Sequence, residues 1–273
     1  MVLTDYHIHS ICSNDGHHSM LEMARASHEK GVTTLCFTDH CDLDDYLTGK
    51  PDPNCFSNRD RMLDMYAGTL PEKPEGLSLF LGLELGEGNH DPARAREIAA
   101  TPELDFVLGS LHSLKGLADF YEHAYRSEAE CLKLVGAYLD ELIELSRLEF
   151  FDVMAHIGYT VRYMRKAGFN ADVSAEKYPE KMRELLTNLI TRGKGIELNC
   201  SGFADPLIGA PIPMADVLRL YRQLGGEIIT VGSDAHRTHQ AGRGLADGLA
   251  LLRQLGYGYI TVFEKRKPRF IKI

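Results

Sequence analysis

The sequence predicts an α/β fold: a mainly parallel sheet closed as a distorted seven-stranded barrel. Seven short apolar, β-rich runs end in polar residues, and helical patterns with apolar spacings of three and four lie between them. No shift in composition marks a linker, so strand and helix alternate through one domain spanning residues 1–273. That length suits a single barrel, which commonly runs to about 250 residues.

The strands are read at 3–9 (LTDYHIH), 33–39 (TTLCFTD), 78–85 (SLFLGLEL), 106–112 (FVLGSLH), 151–156 (FDVMAH), 195–200 (GIELNC) and 227–233 (EIITVGS). Helices are read at 19–31, 127–148, 174–193, 214–226 and 244–256, with Gly31, Gly193, Gly225 and Gly256 as C-terminal caps. The stretch from Asp42 to Asn58 and the Pro-rich LPEKPEGLS are read as loops. The last segment, YGYITVFEKRKPRFIKI, is read as a terminal hairpin or an imperfect closing strand. No repeat or low-complexity tract interrupts the pattern.

A formal charge of -9 disfavours a nucleic-acid or anionic-membrane surface, because a polyanion needs a basic stripe. The most basic run, EKRKPRFIKI, is interleaved with apolar residues and reads as a terminal strand or tail. Six cysteines without a CxxC pair suit reduced thiols. No signal peptide or membrane span is expected, which places the protein in the cytoplasm. The oligomeric state is left open.

The chemistry lies in the histidines. His7 and His9 open the chain in DYHIHS, and strand alternation puts both on one side. Alone, the pair fits an exposed H-x-H as well as a ligand pair. Four more histidines close predicted strands: His40 in FTDH, His112 in LGSLH, His156 in DVMAH and His236 in GSDAH. Glu84, Asp39 and Asp234 occupy the same kind of position. In a parallel barrel all strand C-termini share one face, so these groups converge. Mixed imidazole and carboxylate ligation suits Zn, Mn or Fe at a water-accessible site. The ligands are too many for one ion, so two or three divalent metals are expected, with Glu84 a natural bridge. Two metals about 3.5–4 Å apart suit phosphoester hydrolysis.

These motifs, in order along nearly the whole chain, resemble those of the polymerase-and-histidinol-phosphatase (PHP) superfamily: H-x-H-S, T-D-H, G-L-E, S-L-H, A-H-I-G and G-S-D-A-H. The resemblance implies a distorted (β/α)7, TIM-like barrel and a trinuclear metal centre. One ion would be held by His7, His9, Glu84 and Asp234; a second by Glu84, His112 and His156; a third by His40, His236 and Asp15. At Asp15 many members place a histidine, and here the loop reads S-N-D-G-H-H, so His17 and His18 compete with it. The segment H-I-G-Y-T-V-R resembles the histidinol-phosphate phosphatases, in which an arginine reaches the phosphate. Arg162 matches that position, and Arg165 is the substitute candidate.

The expected reaction is hydrolysis of L-histidinol phosphate, a small-molecule phosphate monoester of histidine biosynthesis. Arg162 and the metals would stabilise charge on the phosphoryl oxygens. Asp234 is a candidate proton acceptor and His236 a candidate donor, the general acid being left open. The substrate's amine and imidazole call for a carboxylate, and Glu87, Asp42, Asp44 and Asp45 are candidates, with Asn199 and His239 also following strands. Other readings are a PHP phosphoesterase acting on a nucleotide monophosphate or cyclic phosphodiester, an amidohydrolase-type deaminase or lactonase, and a polymerase accessory module.

Overall fold

Seven strands pair in parallel in the order in which they occur: β1 (Leu3–Asp5), β2 (Val32–Phe37), β3 (Ser78–Gly86), β4 (Phe106–Ser110), β5 (Val153–Met154), β6 (Gly195–Asn199) and β7 (Ile229–Gly232). The computed structural model describes residues 2–273. Beyond Asp5 the chain closes the sheet on itself. The Tyr6 N–H donates to the Val231 carbonyl at 2.9 Å, Asp234 to His7 at 2.7 Å and His9 to Ala235 at 2.9 Å. The result is the expected (β/α)7 barrel.

Side chains alternate between the barrel interior and the surrounding helices. In β4, Phe106 and Leu108 face inward while Val107 packs outward; in β3, Phe80, Gly82 and Glu84 take the inward parity and Leu79, Leu81, Leu83 and Leu85 the outward one. The outer layer is α1 (Met20–Glu29), α2 (Cys55–Thr69), α3 (Pro92–Ala99), α4 (Glu128–Ser146), α5 (Tyr159–Lys166), α6 (Pro179–Thr191), α7 (Ala215–Gln223) and α8 (Leu245–Gln254). A capping box fixes the start of α1, with Ser19 and Glu22 each holding the other's backbone N–H.

Several sequence expectations shift. The loop read at 42–58 ends early, because α2 begins at Cys55. Its buried residues, Cys55, Met62 and Thr69, are too sparse to give a strong periodic signal. The helices α3 and α5 were not expected; each is eight residues long. The helix read at 174–193 starts only at Pro179, where a proline fits the first turn and a preceding helix would clash with its ring. The β5 ladder covers two residues rather than six.

The terminal segment is a hairpin, β8 (Tyr259–Glu264) and β9 (Lys267–Lys272), paired antiparallel. It does not join the barrel wall. It covers the end where the strands begin: the Tyr6 hydroxyl donates to the Phe263 carbonyl at 2.8 Å, and the Ile229 N–H to Thr261 Oγ1 at 3.2 Å. Val262 and Phe263 join the interior cluster with Tyr6, Cys36, Phe106 and Leu108. One end of the barrel is thus closed by hydrocarbon, and the other carries polar groups. All six cysteines are free and buried. No helix among the described residues is long and apolar enough to cross a membrane.

Candidate metal centre

The inward column of β3 ends in Glu84, whose carboxylate is buried at the centre of the polar end. Its Oε2 lies 3.2 Å from His7 Nε2 and 3.6 Å from His9 Nε2, and its Oε1 lies 3.1 Å from His112 Nε2 and 2.8 Å from His156 Nε2. Asp234 Oδ1 completes the first group, at 3.6 Å from His9 Nε2 and 3.9 Å from His7 Nε2. The two carboxylate oxygens therefore face two different sets of imidazoles. A third group lies outward: Asp15 is 3.1 Å from His236 Nε2 and 3.7 Å from His40 Nε2, while the His236 ring stacks on His9 at 4.0 Å between centroids. His40 also connects inward, its Nδ1 being 3.2 Å from Glu84 Oε2.

Hydrogen bonds behind the histidines decide which nitrogen is free. His7 Nδ1 lies 2.7 Å from the Glu197 carboxylate and donates to it, so in the neutral ring Nε2 carries the lone pair. Ser13 Oγ donates to Asp39 at 2.7 Å and so accepts from His9 Nδ1 at 3.0 Å, leaving His9 Nε2 unprotonated too. The two Nε2 atoms are 3.1 Å apart. With both rings neutral the two lone pairs repel at that distance, and either a proton on His7 or a cation between the rings and the two carboxylates removes the conflict. The donor set fits divalent transition metals.

The electrostatics agree. Burial and the neighbouring His236 and His40 push His9 down to about 3, so its ring is neutral, as a ligand must be. Burial opposes charge on His7, but the carboxylates of Glu197, Glu84 and Asp234 overcome it and lift its pKa well above the ordinary value. Burial would raise Glu84 and Asp234, yet the histidines around them hold both well below the usual carboxylate range. The site attracts positive charge, and a metal ion satisfies the carboxylates that otherwise draw a proton onto His7.

Two backbone features make room for this packing. Asp234 adopts a left-handed conformation, with φ 53°, and its Oδ1 lies 3.6 Å from His9 Nε2. A Cβ on Gly232 would lie 2.3 Å from His7 Cβ and 2.5 Å from Glu197 Oε1, so only glycine fits between β7 and the His7 segment.

Arg162, on α5, reaches the edge of the centre, its Nη2 donating to Ser201 Oγ at 2.6 Å and to Asp234 Oδ2 at 3.2 Å. Arg165 points elsewhere, to the Ile208 carbonyl. His17 is exposed, and neither its side chain nor that of His18 pairs with the cluster, whereas Asp15 does. Glu87 is buried, and its Oε1 accepts from the backbone N–H groups of His112 (2.7 Å) and Ser113 (3.2 Å). That engagement makes Glu87 a brace for the His112 loop. Asp39 likewise braces the loop after β1, accepting from Ser10 and Ser13. Asp42 lies beside the histidines, 3.6 Å from His40 Nδ1 and 3.5 Å from His112 Nδ1. Asp45 caps its own turn at Thr48. Asn199 Nδ2 donates to Asp234 Oδ2 at 3.2 Å. His239 is exposed on a short turn and makes no hydrogen bond to the centre among the described residues.

The sequence reading missed four groups. Glu197 orients His7 and accepts from the His156 N–H at 2.8 Å; a glutamate within the apolar GIELNC strand was its signal. Ser13 carries no comparable signal. Arg243 donates to the carbonyls of Ser233 (2.9 Å) and Asp234 (2.6 Å). His90 bridges Asp44 and Glu141 at 2.7 Å each, tying the acidic loop after β2 to α4.

The sequence model of the family described as "PHP domain" matches residues 5–201, which carry most of these side chains. The chain belongs to the PHP domain family. This PHP chain is 26% identical to a "Probable histidinol-phosphatase" of Clostridium acetobutylicum over 97% of its length and 98% of the relative's. It is 25% identical to the "Histidinol-phosphatase" of Lactococcus lactis, over 96% and 95%. A "Probable phosphatase" of a Thermoanaerobacter species is 25% identical, over 99% and 97%. A crystal structure of histidinol phosphate phosphatase from Lactococcus lactis, complexed with zinc, L-histidinol and phosphate, superposes with a TM-score of 0.76 at 22% identity, covering 98% of each chain. The barrel is thus a fold shared with that enzyme.

Proposed function

We propose that this protein is a metal-dependent phosphomonoesterase that hydrolyses L-histidinol phosphate to L-histidinol and phosphate. The observation that carries the reading is the division of Glu84: one carboxylate with each oxygen facing its own set of imidazoles, and an arginine at the rim. In this reading His7, His9, Glu84 and Asp234 hold one ion, Glu84, His112 and His156 a second, and His40, His236 and Asp15 a third. Divalent ions held there would supply charge neutralisation at the phosphoryl oxygens and lower the pKa of water.

The chain's own residues supply the rest. Arg162, fixed by Ser201 and Asp234, offers a planar guanidinium to a phosphate oxygen and balances charge that builds in the transition state. The Asp234 carboxylate is held well below its ordinary pKa, which suits a ligand better than a proton store. His236 directs Nδ1 at the Asp234 carbonyl, 3.1 Å away, leaving Nε2 toward Asp15. A cleft of about 360 Å³ opens beside His40, and Asp42, Asp44, Asp45 and Asp52 line it. Its sign complements a leaving group bearing an amine and an imidazole. The names of the relatives support the same substrate.

The test is a panel of phosphate esters with zinc- and manganese-loaded protein. The expected result is a kcat/KM for histidinol phosphate at least about tenfold above nucleoside monophosphates and a cyclic phosphodiester. Equal rates across the panel would exclude this substrate assignment.

A further inference from the structure

A second cleft, of about 350 Å³, lies on the other flank of Arg162 and is lined by Arg162, Lys166, Ser201, Asp205 and Arg243 among others. No candidate metal ligand lines it. It gathers three cations against the one carboxylate of Asp205 in a chain whose net charge is -9. Its two guanidinium groups are held in place yet not used up. Arg162 commits only Nη2 to protein acceptors among the described residues, leaving Nε and Nη1. Arg243 commits Nε and Nη2 to the two carbonyls of the Ser233–Asp234 turn, leaving Nη1. Lys166 is exposed, its ammonium 5.5 Å from the Tyr163 ring, and among the described residues no carboxylate pairs with it.

Two guanidinium groups locked by their own hydrogen bonds, with spare donors beside a free ammonium, form a prepared anion site. The position adds a second constraint. The Nη2 of Arg162 touches Asp234 at the metal centre, and the same side chain lines the cleft. A group bound in the cleft would therefore sit one guanidinium away from a phosphate held at the metals. We propose that this cleft is a second anion subsite, admitting also phosphate monoesters whose leaving group carries a further carboxylate or phosphate. The proposal rests on the reading of the metal centre as a phosphomonoesterase, and it widens the substrate class beyond a cationic alcohol.

The test is calorimetric titration of the metal-loaded full chain with three non-hydrolysable probes: propylphosphonate, 3-phosphonopropionate and propane-1,3-diyl bisphosphonate. Release of phosphate from histidinol phosphate is measured on the same sample. Both doubly functional probes should bind about tenfold more tightly than propylphosphonate. The larger gain identifies carboxylate or phosphate as the preferred second group. The gain should fall below about threefold in Lys166→Ala, reverse in Lys166→Glu, and shrink as salt rises from about 50 to about 300 mM. Lys166 is exposed, so these variants leave the core unaltered. Equal affinity for the three probes with turnover intact overturns the subsite alone. A gain undiminished in both Lys166 variants also overturns it, since the metals would then be taking both groups. Absence of both turnover and propylphosphonate binding overturns the phosphomonoesterase reading, and the subsite with it.

Discussion

Glu84 has nitrogen atoms of four histidines within 3.2 Å of its two carboxylate oxygens. Four imidazoles would fill every lone-pair site of one carboxylate with donors, and the same arrangement suits a carboxylate that would be shared between cations. Glu84→Gln keeps the shape and removes the charge. It should lower the bound metal by at least one ion per chain and kcat by about a thousandfold, equivalent to ~4 kcal/mol, as read by elemental analysis and phosphate release. Glu197 acts one step behind. Glu197→Gln leaves His7 Nδ1 with a weaker partner and should reduce metal affinity by about 10–100-fold in competition with a chelator, with a smaller change in thermal stability. Gly232→Ala would drive a methyl into His7 and Glu197, and the protein should bind less metal even if it remains folded. The histidine ligand candidates were legible because imidazoles at successive strand ends are rare without a reason. The residues that orient them were not, since Ser13 and Arg243 act through ordinary hydrogen bonds whose partners lie far away in sequence.

At the level of elements, strand order follows directly from the sequence. What stayed hidden is physical: α3 and α5 are too short to repeat their apolar faces, and β5 has a two-residue ladder. The hairpin seals the barrel floor through Phe263, which is 3% exposed and packs against Phe106 at 5.0 Å between ring centroids. Phe263→Ala should cost about 3–4 kcal/mol in urea unfolding while leaving the metal stoichiometry unchanged, because the cavity opens at the opposite end from the centre. His90 gives a second element-level prediction. Burial opposes its charge, but Glu141 and Asp44 outweigh burial and raise its pKa, while His90 in turn outweighs burial at Glu141 and lowers that carboxyl. The His90 contribution is present in full below the ordinary histidine pKa and fades as pH rises through the raised value. The Glu141 contribution is present above the ordinary carboxylate pKa and fades as pH falls through the lowered value. Stability conferred by this bridge should therefore peak between the two, and His90→Ala should remove about 2 kcal/mol there, with a smaller loss at either extreme in unfolding measured across pH.

On the scale of the whole molecule, the barrel separates its functions by end. Hydrocarbon from β8 and β9 closes the floor, and the strand C-termini present a metal centre flanked by an acidic cleft beside His40 and a basic one beside Arg162. The formal charge of -9 gave no hint of the basic cleft, since its three cations come from α5 and the loop after β7 and meet only in the folded chain. At this end we place a polynuclear metal cluster that hydrolyses a phosphate monoester. Elemental analysis of purified protein, run beside phosphate release from histidinol phosphate, tests it most directly. Two or three divalent ions per chain are expected, with activity that rises with metal occupancy; full activity with fewer than two ions per chain would rule the cluster out.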